Sequence, residues 1–141
     1  FQDERAPLVF QGIIVLLAVF ITVWLVNLRV ISDGWARDDA VYAGGEEMFQ
    51  ENGISPNDVV IVRNPPGYFI VSGRSAVALP FGDESTILAV AEKFDARYLI
   101  IEEDGTYDAI QDLYDDPQVN SNFLYVGEVD GARLYRIEAT P

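Results

Sequence analysis

Between Arg5 and Arg29 the chain runs for 23 residues, Ala6 to Leu28, without a single charge, and the stretch LVFQGIIVLLAVFITVWLV inside it is almost wholly aliphatic and aromatic. A bilayer's hydrocarbon core, about 30 Å thick, needs roughly 20 apolar residues at the helical rise. The run is therefore long enough for one spanning helix with slight tilt. Gln11, Thr22 and Asn27 are its polar side chains apart from the indole of Trp24. Trp24, Arg29 and Trp35 are expected at a membrane interface, where amphipathic rings and snorkelling cations are favoured. A buried core helix and a cleaved signal peptide are the competing readings. A signal peptide has a shorter apolar region and a basic start, whereas this chain opens Phe1-Gln2-Asp3-Glu4-Arg5. The lack of an initiating Met leads us to expect a piece of a longer protein.

The expected organisation is a flank over 1–6, a transmembrane helix over 7–30, a linker over 31–37 and a soluble domain over 38–141. About 100 residues suffice for one small domain with one core. Residues 1–37 hold three acids (Asp3, Glu4, Asp33) against three bases (Arg5, Arg29, Arg37), so the whole net charge of -14 falls on 38–141. Such a field disfavours nucleic acid and flat docking on anionic lipid, and it keeps the domain soluble. With no Cys and no His, disulfides, thiol chemistry, imidazole or thiolate metal sites and a Ser-His triad are excluded within this chain. The basic flanks show no asymmetry that orients the helix.

Along the domain, Val41, Tyr42, Gly45, Met48 and Phe49 recur at helical spacing from Asp39 to Asn52. Gly44-Gly45 inside this helix reflects either close approach to a neighbour or simple tolerance of a weak spot, and tolerance is slightly favoured. DVVIVR over 58–63 reads as a central, parallel strand. Pro65-Pro66-Gly67 stops it, and either a helical turn or extended chain follows. Ala76–Leu79 is a second strand, and Gly82-Asp83-Glu84-Ser85 opens a helix with the stripe Ile87, Leu88, Ala91, Phe94. RYLII over 97–101 is a third strand, and Tyr107, Ile110, Leu113 and Tyr114 mark a further helix. FLYVGEV and ARLYRIEA flank Asp130-Gly131, a tight-hairpin dipeptide. The expected fold is a small, mostly parallel α/β sandwich with a C-terminal antiparallel hairpin.

Acidic pairs at Asp38-Asp39, Glu46-Glu47, Glu102-Glu103-Asp104 and Asp115-Asp116 read as solvated surface on so acidic a domain. Glu102 and Glu103 are retained as candidates because they follow a buried parallel strand, outside whose carboxyl end ligands of open α/β sheets bind. Asn64 and Tyr68, in the loop after the first strand, join them as candidate ligand or partner contacts. A rigid turn that only redirects the chain is the plainer reading of that loop. No metal site, cofactor motif or catalytic constellation is present.

The last-membrane-helix layout, the segments SPNDVVIVRNPPGYFIVSGRSAVALPFGD and ESTILAVAEKFDARYLIIEEDG, and the closing FLYVGEVDGARLYRIE resemble the C-terminal end of multi-spanning bacterial glycosyltransferases of the dolichyl-phosphate-mannose protein mannosyltransferase type. That resemblance spans roughly residues 8–138. It implies a parent enzyme that moves sugar from a polyprenyl-phosphate carrier, with this domain outside the cytoplasmic membrane, capping the site or aiding acceptor recognition. Its partners would be the bilayer, other transmembrane helices and, through the parent, the lipid-linked sugar. Such families carry their catalytic acids in an early loop among many helices, so none is transferred to this chain, which has one. Two alternatives stand beside it: a single-anchor accessory subunit acting as an interaction module in a larger membrane complex, and, least favoured, a free-standing enzyme.

Overall fold

A computed structural model describes residues 5–28, 35–118 and 120–138, and the chain divides into two compact units, residues 1–37 and 38–141. In the first, helix α1 (Arg5–Val26) contains an apolar window, Val9–Val26, of mean hydropathy 2.7, none of which is buried. Thr22 donates its hydroxyl to the Ala18 carbonyl at 2.8 Å, so its polar group is satisfied within the helix. Trp24 is exposed. Arg29 lies outside the described residues, and so does the side chain of Trp35.

The second unit is a mixed α/β domain. Helix α2 (Trp35–Glu51) leads to β1 (Val59–Val62), α3 (Pro65–Ser72), β2 (Ala76–Ala78), α4 (Glu84–Phe94) and β3 (Ala96–Glu102); after two short 3-10 turns come α5 (Gln111–Asp115) and the hairpin β4 (Phe123–Val129) and β5 (Ala132–Ile137). The five strands lie in the order β2-β1-β3-β5-β4. β1 runs parallel to β2 and β3, while β5 is antiparallel to both β3 and β4. The expectation of a mostly parallel sheet is thus corrected to an evenly mixed one. The hairpin docks by its second strand, with Ala132 opposite Glu102, so it supplies as many antiparallel pairings as the crossovers supply parallel ones.

Local chemistry explains these elements. Proline at the first helical position, with the Asn64 side chain accepting from Gly67 N at 3.2 Å, starts α3, and Gly73 at φ 70° stops it. Thus the open choice after the prolines resolves as helix. Asp83 caps α4 by accepting from Thr86 N at 3.0 Å and from the Ser85 and Thr86 hydroxyls; Ser85, first, and the Thr86 groups hold its pKa down. Asp130 and Gly131 both take positive φ in the hairpin turn.

Alternation along the strands divides the core in two. Val60, Val62, Tyr98, Ile100 and Leu134 pack with Val41, Tyr42 and Phe49 of α2 and Tyr68 of α3. Ile61, Leu99, Ile101 and Tyr135 pack with Ile87 and Ala91 of α4, Ile110 and Leu113. Of the α2 glycines, Gly44 is there for close approach, since a Cβ on it would lie 2.5 Å from Val129 Cγ1, whereas a Cβ on Gly45 would meet Ile100 at an ordinary 3.5 Å, so there the reading of tolerance holds. Helix α2 runs against β3, with Tyr42 bonded to Glu102 at the strand's carboxyl end and Phe49 against Tyr98 near its start.

Candidate functional site

Strands β1 and β3 are parallel neighbours, yet the segments leaving them diverge. After β1 the chain enters α3, whose Tyr68 packs on the α2 face of the sheet. After β3 it enters the segment carrying Ile110 and Leu113, which pack on the opposite face. Such a reversal of winding direction, beyond the carboxyl ends of two parallel strands, marks the place where open α/β sheets bind ligands.

Arg63 and Glu102 face each other across this rim, with Nη1 and Oε2 3.8 Å apart. Glu102 is buried, at 6% exposure, and accepts a hydrogen bond from the Tyr42 hydroxyl at 2.8 Å. The Arg63 side chain is half-exposed and lies along Gly105, where a Cβ would come within 3.1 Å of Arg63 Cδ. Glu103 is exposed in the next 3-10 turn, its carbonyl accepting from the Thr106 hydroxyl at 2.8 Å. Beside them Phe81 stacks on Tyr107, with centroids 4.7 Å apart and planes 23° apart. The Tyr107 hydroxyl accepts from Gly82 N at 3.2 Å and donates to the Pro80 carbonyl, clamping the loop after β2 to the segment after β3.

Of the residues singled out in the sequence, Glu102 and Glu103 lie at the carboxyl end of β3 and Asn64 follows that of β1. Asn64 spends its side-chain oxygen on capping α3. Tyr68 is turned away from the rim: it is fully buried, its ring set edge-on to Tyr42 at 5.3 Å, and its hydroxyl donates to Glu46 Oε2 at 3.1 Å. Burial first, then the Glu46 charge, push the Tyr68 phenol far up, so it stays protonated.

Glu46 itself corrects the reading of its pair as solvated surface, because it is 8% exposed while Glu47 lies outside. Arg74, 2% exposed, grips it with Nε to Oε2 at 2.8 Å and Nη2 to Oε1 at 2.7 Å, and also donates to the Ser55 carbonyl. Burial alone would push Glu46 up; the Arg74 hydrogen bonds and charge, helped by Tyr68 and Gln50, outweigh it and hold the carboxyl below 4.5. Arg74 is raised, chiefly by the Glu46 hydrogen bond. Closed on itself, this network ties α2 to α3 and to the loop that leads into β2. Its one sequence signal was position: Glu46 belongs to the Tyr42, Gly45, Phe49 stripe.

Two hollows lie elsewhere. The larger, 910 Å³, sits at the other end of the sheet and is lined by residues including Asp58, Leu88, Arg97 and Arg136. Its arginines face their own carboxylates, Arg97 to Asp95 at 3.5 Å and Arg136 to Glu138 at 2.6 Å. The smaller, 370 Å³, is bordered by Glu84, Asp112, Asp115 and Asp116. Among the described residues no group of three or more carboxylates is placed to hold a metal ion. The rim therefore offers recognition by a half-exposed cation, a buried carboxylate and an aromatic platform. No family model, curated protein or solved structure matches this chain.

Proposed function

We propose that this chain is a membrane-anchored, non-catalytic module, the tail of a membrane glycosyltransferase that draws sugar from a polyprenyl-phosphate carrier. In this reading the domain lies outside the cytoplasmic membrane and its rim helps to cap the site or recognise the acceptor. One observation carries the membrane part: a helix apolar on every side has none of its 18-residue window buried by the rest of the chain, and an all-apolar helix needs an apolar surrounding. The glycosyltransferase part rests on the resemblance of the segments from Ser55 onward. Two measurements test the reading. Membranes from cells expressing the chain should retain it through an alkaline carbonate wash, and release by the wash overturns the anchor. The reading frame preceding Phe1 should encode many more apolar spans, and a frame without them overturns the glycosyltransferase assignment.

A single-anchor accessory subunit is the second reading. The observation that favours it is that residues 38–141 form a compact unit with its own core on both sheet faces. Co-purification of the chain with a stable membrane complex supports it, and a lone monodisperse protein in mild detergent counts against it.

A further inference from the structure

We infer that the open face of Phe81 is a docking platform for an arginine side chain presented by a partner protein, a role independent of whether α1 spans a membrane. The ring lies in the loop after β2 with 90% of its surface exposed. Tyr107 covers one face, with centroids 4.7 Å apart, so the opposite face is the open one. The same tyrosine fixes the backbone on either side of the ring, its hydroxyl donating to the Pro80 carbonyl and accepting from Gly82 N at 3.2 Å. An exposed aromatic already held in place costs a partner little ordering on binding.

The surroundings of the ring select the partner's chemistry. Asp83 and Glu84 follow Phe81 within three residues, and Asp108 directly follows Tyr107. Two residues of chain span at most about 7 Å, which keeps Asp83 beside the ring. Asp83 is exposed, and it accepts from the Ser85 hydroxyl and from the Thr86 amide and hydroxyl all at Oδ1, leaving Oδ2 without a hydrogen bond among the described residues. Those donors, Ser85 first, hold its pKa down, so it is ionised at neutral pH. Glu84 accepts from Asn120 Nδ2 at 2.6 Å. Among the described residues no ion pair involves Asp83, Glu84 or Asp108, and Arg63 at the same rim is engaged with Glu102. A ring attracts a cation to its π face, and a guanidinium stacked there can fork its N–H groups to carboxylates at the edge. The chain builds this arrangement twice for itself. Arg74 lies 5.4 Å from the Phe49 centroid while bonded to Glu46, and Arg133 lies 4.3 Å from the Tyr114 centroid with its Nε 3.5 Å from Glu128. At Phe81 the ring and the carboxylates are present, and among the described residues no cation lies over the ring. A net charge of -14 also draws a basic segment in from a distance.

The test uses the full chain, isotope-labelled for NMR, in maltoside micelles. Two peptides are titrated: acetyl-Gly-Arg-Arg-Gly-amide, and the same peptide with citrulline, a neutral isostere, in place of arginine. We expect the arginine peptide to shift the amide signals of Gly82 and Asp108 saturably at low ionic strength, and the citrulline peptide to leave them in place. Phe81→Ala should weaken the affinity about two- to fivefold. Asp83→Asn keeps a capping oxygen and should weaken it as well, with an otherwise unchanged spectrum showing that each variant is folded. Equal shifts from the two peptides, or native affinity in Phe81→Ala, overturn the proposal. Phosphocholine is titrated in parallel: if it moves these signals and the arginine peptide does not, the platform serves a lipid headgroup and the proposal falls. Signals that move on dilution without peptide would assign the platform to an arginine of a second copy, and overturn it too.

Discussion

Glu46 and Arg74 are joined by two hydrogen bonds, one of 2.7 Å, and lie 28 residues apart in sequence. Breaking a buried pair by neutralising one partner leaves the other charge without compensation. Glu46→Gln is therefore expected to cost about 3 kcal/mol, read as a lower urea midpoint with unchanged slope. The pH dependence follows from the direction of the shift. Because the folded carboxyl titrates below 4.5, the unfolded chain binds more protons as pH falls through that region, so the pair's contribution is complete above about pH 4.5 and is lost below it. The gap in stability between the native chain and Glu46→Gln should accordingly be widest near neutrality and shrink as the pH is lowered through the folded value. A gap that stays constant with pH would show that the carboxylate is not the group responsible. Such a pair leaves little trace in sequence. An acid on an apolar helical stripe is visible, but its partner on the loop between α3 and β2 becomes a partner only once the sheet has formed.

Among the elements, α2 offers a comparison of two adjacent glycines. Gly44→Ala places a methyl 2.5 Å from Val129 Cγ1, an overpacking that typically costs about 1–3 kcal/mol, more than the helix propensity gain of about 1 kcal/mol. Gly45→Ala meets Ile100 at an ordinary 3.5 Å and should keep that gain. Thermal melts of the two variants should move in opposite directions. At α3, Asn64→Ala removes the acceptor for Gly67 N and should cost about 1 kcal/mol, while an additional effect on partner binding would reveal a second role at the rim. The start of α4, the buried runs of β1 and β3 and the Asp130-Gly131 turn were legible because each is written in a few neighbouring residues. The sheet order, the even mix of strand directions and the reason for Gly44 were not, since they depend on which distant surface packs against which. At the candidate site, the placement of Glu102 at the carboxyl end of β3 was readable from that strand's apolar run, while Arg63 and Phe81 gained meaning only when three separate loops met.

For the molecule as a whole, the division of charge is the governing fact: an uncharged span on one side of Arg29 and a net charge of -14 on residues 38–141. Lysines at both Leu16 and Phe20, near the middle of the span, each cost about 3 kcal/mol in a bilayer. That double variant should leave the membrane pellet while the domain's circular dichroism is unchanged. If it stays in the pellet through a carbonate wash, something other than α1 holds the chain there. The direction of α2 has a mechanical consequence as well. A load applied to the first turn of this helix passes along it into the domain. There the load meets first the Tyr42–Glu102 hydrogen bond and then the doubled Glu46–Arg74 clasp, so the helix is gripped at two successive turns by side chains buried beneath it.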